Sequence, residues 1–195
     1  MARPRKFDEC VALREATALF RENGYEGTSL ADLTRRMGMG KASLYATFGD
    51  KQQLFLLVLA HYQEAMRETM EQLLAKPGSA REALQGYFDY IVGDSGATCM
   101  EGDPGCLCVN TAVELAPHDP LIAARSRAFN ETGERLLRET LERGKASGEF
   151  RGDLDTRRIA AFLMTQIYGL SVLRRTGPEP GRLTDVVRTA LSLLD

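Results

Sequence analysis

Lys41, Ala42, Ser43, Tyr45, Ala46 and Thr47 gather one cation, three hydroxyls and two methyl-sized side chains into seven consecutive positions. If the segment is helical, with Leu44 and Phe48 turned to a core, these six form its other face. Such a face is slim and tipped with donors. It can lie in the major groove of duplex DNA without steric block, its small residues letting the backbone approach while Lys41 and Tyr45 reach phosphates or base edges.

A second group with reactive potential is sulfur. Cys10, Cys99, Cys106 and Cys108 are even in number, but the chain is neither short nor secreted-looking, so a disulfide framework is not expected. Cys106 falls near a predicted helix start, where the helix dipole would lower a thiol pKa. A redox or electrophile switch at Cys106 therefore stands beside the plainer reading of buried, inert cysteine. On a helix, Cys106 and Cys108 should point to different faces, which weakens a metal site built from Cys99, Cys106, Cys108 and His118. No metal and no cofactor is expected. His61 and His118 are isolated. There is no phosphate-cradling glycine loop, nucleophile elbow or metalloprotease helix signature, so an enzyme is the weaker class.

The elements that must position these groups read as helices almost throughout, about nine in all, giving an all-α fold. The first spans Asp8 to Asn23, with Ala12, Ala16, Leu19 and Phe20 as its core stripe and Gly24 as a left-handed cap. Ser29 caps the second, with Asp32 completing a capping-box-like pair; Leu30, Leu33 and Met37 share one face. Gly38-Met39-Gly40 makes a tight turn into the helix that begins at Lys41. Asp50 caps a long fourth helix, Lys51 to Ala75, expected to carry Leu54, Leu57, Val58, His61 and Tyr62 inward. Further helices are predicted over Ser79 to Val92, Pro104 to Leu115, Asp119-Pro120 to Ala146, Leu154 to Arg175, and Arg182 to Leu194, with a glycine-rich loop from Gly93 to Asp103. Two domains are expected, 1–50 and 51–195.

Composition is compatible with this layout. The apolar fraction is 44% and the formal charge −2. Residues 1–51 hold nine Lys/Arg against seven acids, and the remainder 16 against 20, so a mildly basic head sits on an acidic body. Arg3, Arg5 and Lys6 suggest an arm that gains order on DNA. No run of apolar residues is long enough to span a membrane, and the start lacks a secretory pattern, so a soluble cytoplasmic protein is expected.

The stretch Phe20, Gly24, Tyr25, Thr28, Ser29, Leu30, Leu33, Gly38, Lys41-Ala42-Ser43-Leu44-Tyr45, Phe48 and Lys51 resembles the tetracycline-repressor (TetR/AcrR) family of transcriptional regulators over about a quarter of the chain. The resemblance implies a homodimer whose reading helices enter successive major grooves of a near-palindromic operator, most often as a repressor released by a small molecule. By position, Thr28, Ser29, Tyr45 and Lys51 would contact phosphate, and Lys41, Ala42 and Ser43 would face base edges or nearby backbone. Ala46 departs from the bulkier residue of many relatives, which leaves the base read there open. Pro104-Gly105-Cys106-Leu107 with Asn110 looks like a sub-group with a Gly-Cys-Leu segment opening helix 6.

A helical sensor needs a cavity among its helices. Tyr62, Met66, Phe88, Ile91, Cys106, Asn110, Phe129, Phe162, Gln166 and Tyr168 are the candidates to line it, suggesting a hydrophobic or amphipathic effector. Ile159, Phe162, Leu163, Ile167, Leu170 and Leu173, with Val187, Leu191 and Leu194, are too many apolar positions for one buried stripe and are candidates for a four-helix dimer interface. Activation rather than repression, a thiol-based sensor, and a helical interaction module remain alternatives.

Overall fold

The computed structural model describes residues 8–93, 105–179 and 181–195. The basic arm, Cys99 and most of the glycine-rich loop lie outside the described residues. Nine α-helices are present among them: α1 (Glu9–Asn23), α2 (Leu30–Met37), α3 (Lys41–Phe48), α4 (Lys51–Leu74), α5 (Ala80–Val92), α6 (Leu107–Glu114), α7 (Pro120–Ala146), α8 (Thr156–Arg174) and α9 (Arg182–Ser192).

Their starts are fixed by short polar side chains that satisfy otherwise orphaned amides. Asp8 accepts from Cys10 and Val11, Asp50 from Gln53, Ser79 from Glu82, and Asp119 from Leu121 and Ile122. Ser29 and Asp32 form a full capping box on α2. Gly38 closes α2 at φ 64°, ψ 29°, a left-handed conformation that glycine adopts without penalty and that turns the chain sharply toward α3.

Two apolar cores result. The smaller joins Ala12, Ala16, Leu19 and Phe20 of α1 to Leu33, Met37, Leu44 and Phe48, and extends into Leu54, Phe55, Val58 and Leu59 of α4. Leu107 of α6 and Ile122 of α7 complete it. The larger is built from the rest of α4 with α5, α7, α8 and α9. The long α4 therefore serves both cores, and α6 wedges the body against the head.

Three expectations are corrected here. On α4 it is Phe55 and Leu59 that turn inward, whereas Leu57 and His61 are exposed; the buried stripe keeps Leu54 and Val58 and is rotated from the predicted one by less than one residue. Helix α6 begins at Leu107 rather than Pro104, so Cys106 is its N-cap. Gly24 has positive φ, but its ψ of −178° is extended rather than left-handed helical.

Candidate functional site

The head presents α3 as expected. Leu44 and Phe48 are buried, and Lys41, Ala42, Ser43, Tyr45, Ala46 and Thr47 are all exposed. Tyr45 keeps 44% of its surface, with the Lys41 ammonium 5.9 Å from its ring centre, so cation and phenol sit side by side on one face. Ser29 is exposed at the α2 N-terminus, where the dipole and free amides favour an anion. Lys51 stands over the Tyr25 ring at 4.2 Å, which holds its long side chain at the start of α4.

Thr28 departs from expectation. It is fully buried, and its Oγ1 donates to the Gly24 carbonyl at 2.6 Å. Its side chain locks the turn before α2 and is not available to phosphate.

Beneath the head lies a partly open cavity with about 100 Å³ of free interior. Of the sequence candidates, Tyr62, Met66, Ile91, Cys106, Phe129 and Tyr168 line it. Four do not. Phe88 is fully buried in the body core, because Tyr87 and Ile91 hold the cavity face of α5. Asn110 bridges instead, its Nδ2 donating to the Arg21 carbonyl at 3.3 Å and its Oδ1 accepting from Arg175 at 3.1 Å. Phe162 and Gln166 lie in a surface groove between α8 and α9.

Sequence reasoning missed Arg21, Tyr87, Tyr90, Ile167, Ser171 and Arg174 as lining residues. The spacing Tyr87–Tyr90–Ile91 was a usable signal, since these positions share a helix face. Arg21 had none, because it belongs to α1 of the head. Its Nε and Nη2 both donate to the Gly105 carbonyl, at 3.0 and 2.9 Å, and its guanidinium carbon lies 5.7 Å from the Tyr62 ring centre.

Burial pushes the phenols of Tyr62, Tyr87 and Tyr168 up, so they are neutral donors. Cys106 moves the other way. It makes no full cap bond to α6. Hydrogen bonding from Cys108, helped by the Val109 amide, the Tyr62 hydroxyl and the Cys108 amide, nevertheless outweighs burial and holds its thiol at about 6. Cys108 is the donor of that pair and is pushed well up, first by the bond to Cys106 and then by burial. Cys106 itself has extended backbone, φ −90° and ψ 124°.

The head and cavity are joined by a second clasp that the sequence did not reveal. The carboxylate of Glu114, at the end of α6, accepts from the amides of Tyr25 at 2.9 Å and Glu26 at 2.7 Å. A Cβ at position 24 would meet this carboxylate at 2.7 Å, so Gly24 is needed for both its conformation and the approach. The same turn carries Tyr25, whose ring packs on Phe55 at 4.8 Å, and leads through Thr28 into the capping box of α2.

The proposed dimer residues are also corrected. Leu163, Ile167, Leu170, Val187, Leu191 and Leu194 are buried in the protomer's own core, with Ile159 packed against it and Leu173 half-buried. Beyond Arg157 and Arg158 of its first turn, α8 exposes Phe162, Thr165, Gly169 and Val172, at alternating spacings of three and four. Among the described residues no helix is long and apolar enough to cross a membrane.

Comparison with known proteins matches residues 12–58 to the bacterial regulatory proteins of the tetR family and residues 82–190 to the tetracyclin repressor-like C-terminal domain. The HTH-type transcriptional regulator YezE of Bacillus subtilis is 34% identical over the full length of both chains. The HTH-type transcriptional repressor ComR of Escherichia coli is 34% identical over 98% of this chain and 90% of its own. A cysteine mutant of the TetR-family regulator CifR, solved with a 26-base-pair operator, superposes with a TM-score of 0.85 at 36% identity, covering 99% of this chain and 100% of its own.

Proposed function

The chain belongs to the TetR family of bacterial regulatory proteins, and on that premise we propose that it is a cytoplasmic, homodimeric repressor, released from a near-palindromic operator by a small amphipathic molecule that enters the cavity under its reading head. The observation that carries this reading is Arg21. It is at once part of the last turn of α1 in the head and part of the cavity wall, tied to Gly105 by two hydrogen bonds.

On DNA, α3 lies in the major groove. Lys41 and Ser43 face base edges; Tyr45, Ser29 and Lys51 hold phosphates. Two such helices must sit about 34–36 Å apart to read successive grooves. The effector's apolar body contacts the tyrosine rings, Met66 and Ile91, and the neutral phenols orient its polar end. The cavity is well below the roughly 300–1,000 Å³ of ordinary ligand pockets, so an effector of that size must displace a wall. Displacing Arg21 or α6 moves the 24–26 turn through Glu114, and with it α2 and α3. The ligand then acts by binding the displaced state more tightly than the operator-competent one.

Gel shift with the DNA upstream of the protein's own gene tests the reading. Salt-sensitive retardation is expected, and its loss in a Lys41→Ala, Tyr45→Phe double variant. Retardation unchanged in that variant overturns the α3 assignment; none at all, at any nearby promoter, overturns the repressor.

A second reading is favoured by Cys106, whose thiol is held near 6 in the cavity wall. Here release follows chemical attack on a thiolate rather than reversible binding. Induction surviving in Cys106→Ser with an intact reading head would sink it.

A further inference from the structure

We infer that the groove between α4 and α7 is the entrance to the cavity, with the Phe129 ring as its door, and that it admits small neutral molecules with an aromatic or alkyl body. The route belongs to the cavity itself; its use by an effector rests on the reading above.

Three observations carry it. First, Phe129 is, among the described residues, the one side chain common to both linings. It lines the cavity with Tyr62 and Met66 of α4, and it also lines a surface groove of about 290 Å³ with Ala60 and Gln63 of α4 and Ala128 and Thr132 of its own helix. Phe129 is half-buried, as a partition with one wet face would be.

Second, the gap it fills is framed. Arg125, Phe129 and Gly133 follow one another at steps of four, so they share one face of α7 and span about 12 Å along it. One step before Phe129, Arg125 Nη1 donates across to the Leu56 carbonyl of α4 at 3.5 Å. One step after it, α7 packs so closely that a Cβ on Gly133 would stand 2.8 Å from the Met164 sulfur and 3.7 Å from Met70 Cε of α4. The two helices are therefore tied on either side of Phe129, and a side chain rather than backbone closes the interval.

Third, the door can move while its frame stays. A phenylalanine on a helix has two open χ1 wells, about 180° and about −60°, and a jump between them moves the ring without moving the helix. Arg67, on the rim, is held by Glu64 and Glu71. The groove is apolar at Ala60, Ala128 and Phe129. A charged solute passing the ring would exchange its water for hydrocarbon, which sets the class admitted.

The test uses full-length protein with Cys10→Ser and Cys99→Ser. Cys106, in the cavity wall, then reports arrival, and the buried Cys108 reports general loosening. The probe is N-phenylmaleimide, with the labelled cysteine assigned by mass spectrometry and each rate divided by that for glutathione. Phe129→Ala should label Cys106 about tenfold faster or more, as when a state open at most about 10% of the time becomes permanent. Ala60→Phe fills the groove from outside and leaves the cavity lining untouched; it should slow labelling several-fold. N-(4-carboxyphenyl)maleimide, the same ring with one charge, should label the parent about tenfold more slowly than the neutral reagent. An unchanged rate in Ala60→Phe places entry elsewhere and overturns the route. An unchanged rate in Phe129→Ala overturns the door, as does Cys108 labelled in step with Cys106 in that variant. Equal rates for the two maleimides overturn the class. None of these readouts uses DNA, so a protein that binds no operator would sink the repressor reading and leave the route standing.

Discussion

Lys41 and Tyr45 occupy one face of α3, and in the proposed complex they would act on DNA by different physics. Lys41 brings charge, so Lys41→Ala should flatten the dependence of log affinity on log salt by about 0.9, one released counterion. Tyr45→Phe removes a hydrogen bond and no charge. It should cost about 1–1.5 kcal/mol, near tenfold in affinity, at an unchanged salt slope. Anisotropy titrations at several salt concentrations separate the two. At Cys106 the expected signature is a pH profile. Alkylation by iodoacetamide should rise through a midpoint near 6, well below that of an ordinary thiol. Cys108→Ala should raise that midpoint, since it removes the donor that is the largest cause of the lowering.

At the scale of elements, carboxylates from one helix or turn serve the backbone of another. Glu149, in the turn before α8, accepts from Ser79 Oγ at 2.5 Å and from the amides of Ala80 and Arg81 at 3.1 and 3.2 Å. It caps α5 from a distant part of the chain. The Ser79 hydroxyl first, then these amides, hold its carboxyl down at about 2. The folded value lies below the unfolded one, so the stability it contributes is complete above the ordinary Glu value and is lost as pH falls toward about 2. Melting temperature should therefore fall less steeply through this acid range in Glu149→Gln than in wild type. Glu114→Ala frees two amides of the 24–26 turn. A loss of about 2 kcal/mol, or about 4–8 °C in Tm, is expected, with faster hydrogen exchange at Tyr25 and Glu26. Caps and stripes confined to one helix were legible beforehand: Ser29–Asp32, Asp50, Asp119 and the α1 stripe all rest on spacing within a few residues. Glu114 and Glu149 were not, because their partners lie 88 and 70 positions away and only packing brings them together.

For the whole molecule, the apolar excess on α8 and α9 was real, but most of it fills the protomer's own core. Apolar side chains for an internal core and for a partner subunit look alike in sequence; exposure separates them. The six buried positions belong to the internal core, and the exposed series Phe162, Thr165, Gly169 and Val172 is the face we propose for a second chain. Val172, 51% exposed, is the position to charge. Val172→Glu should give a monomer by light scattering and abolish operator retention while leaving helical content unchanged, since Val172 belongs to neither apolar core. A dimer that persists in this variant places the interface elsewhere. The cavity was half legible for a related reason. Residue types announced a chamber lined by aromatic and soft side chains, but the side of α5 that faces it is decided by how α5 docks, which exchanged Phe88 for Tyr87.

Arg21 belongs to two instruments at once. On the proposed inducer reading, a laboratory or a lineage that retunes position 21 for a new inducer would also retune how firmly the uninduced protein grips its promoter. Altered inducer preference gained there should therefore arrive with altered leakiness of the controlled gene, whereas changes at Tyr87 or Tyr168, which are rooted in the body alone, can drift in taste without disturbing basal expression.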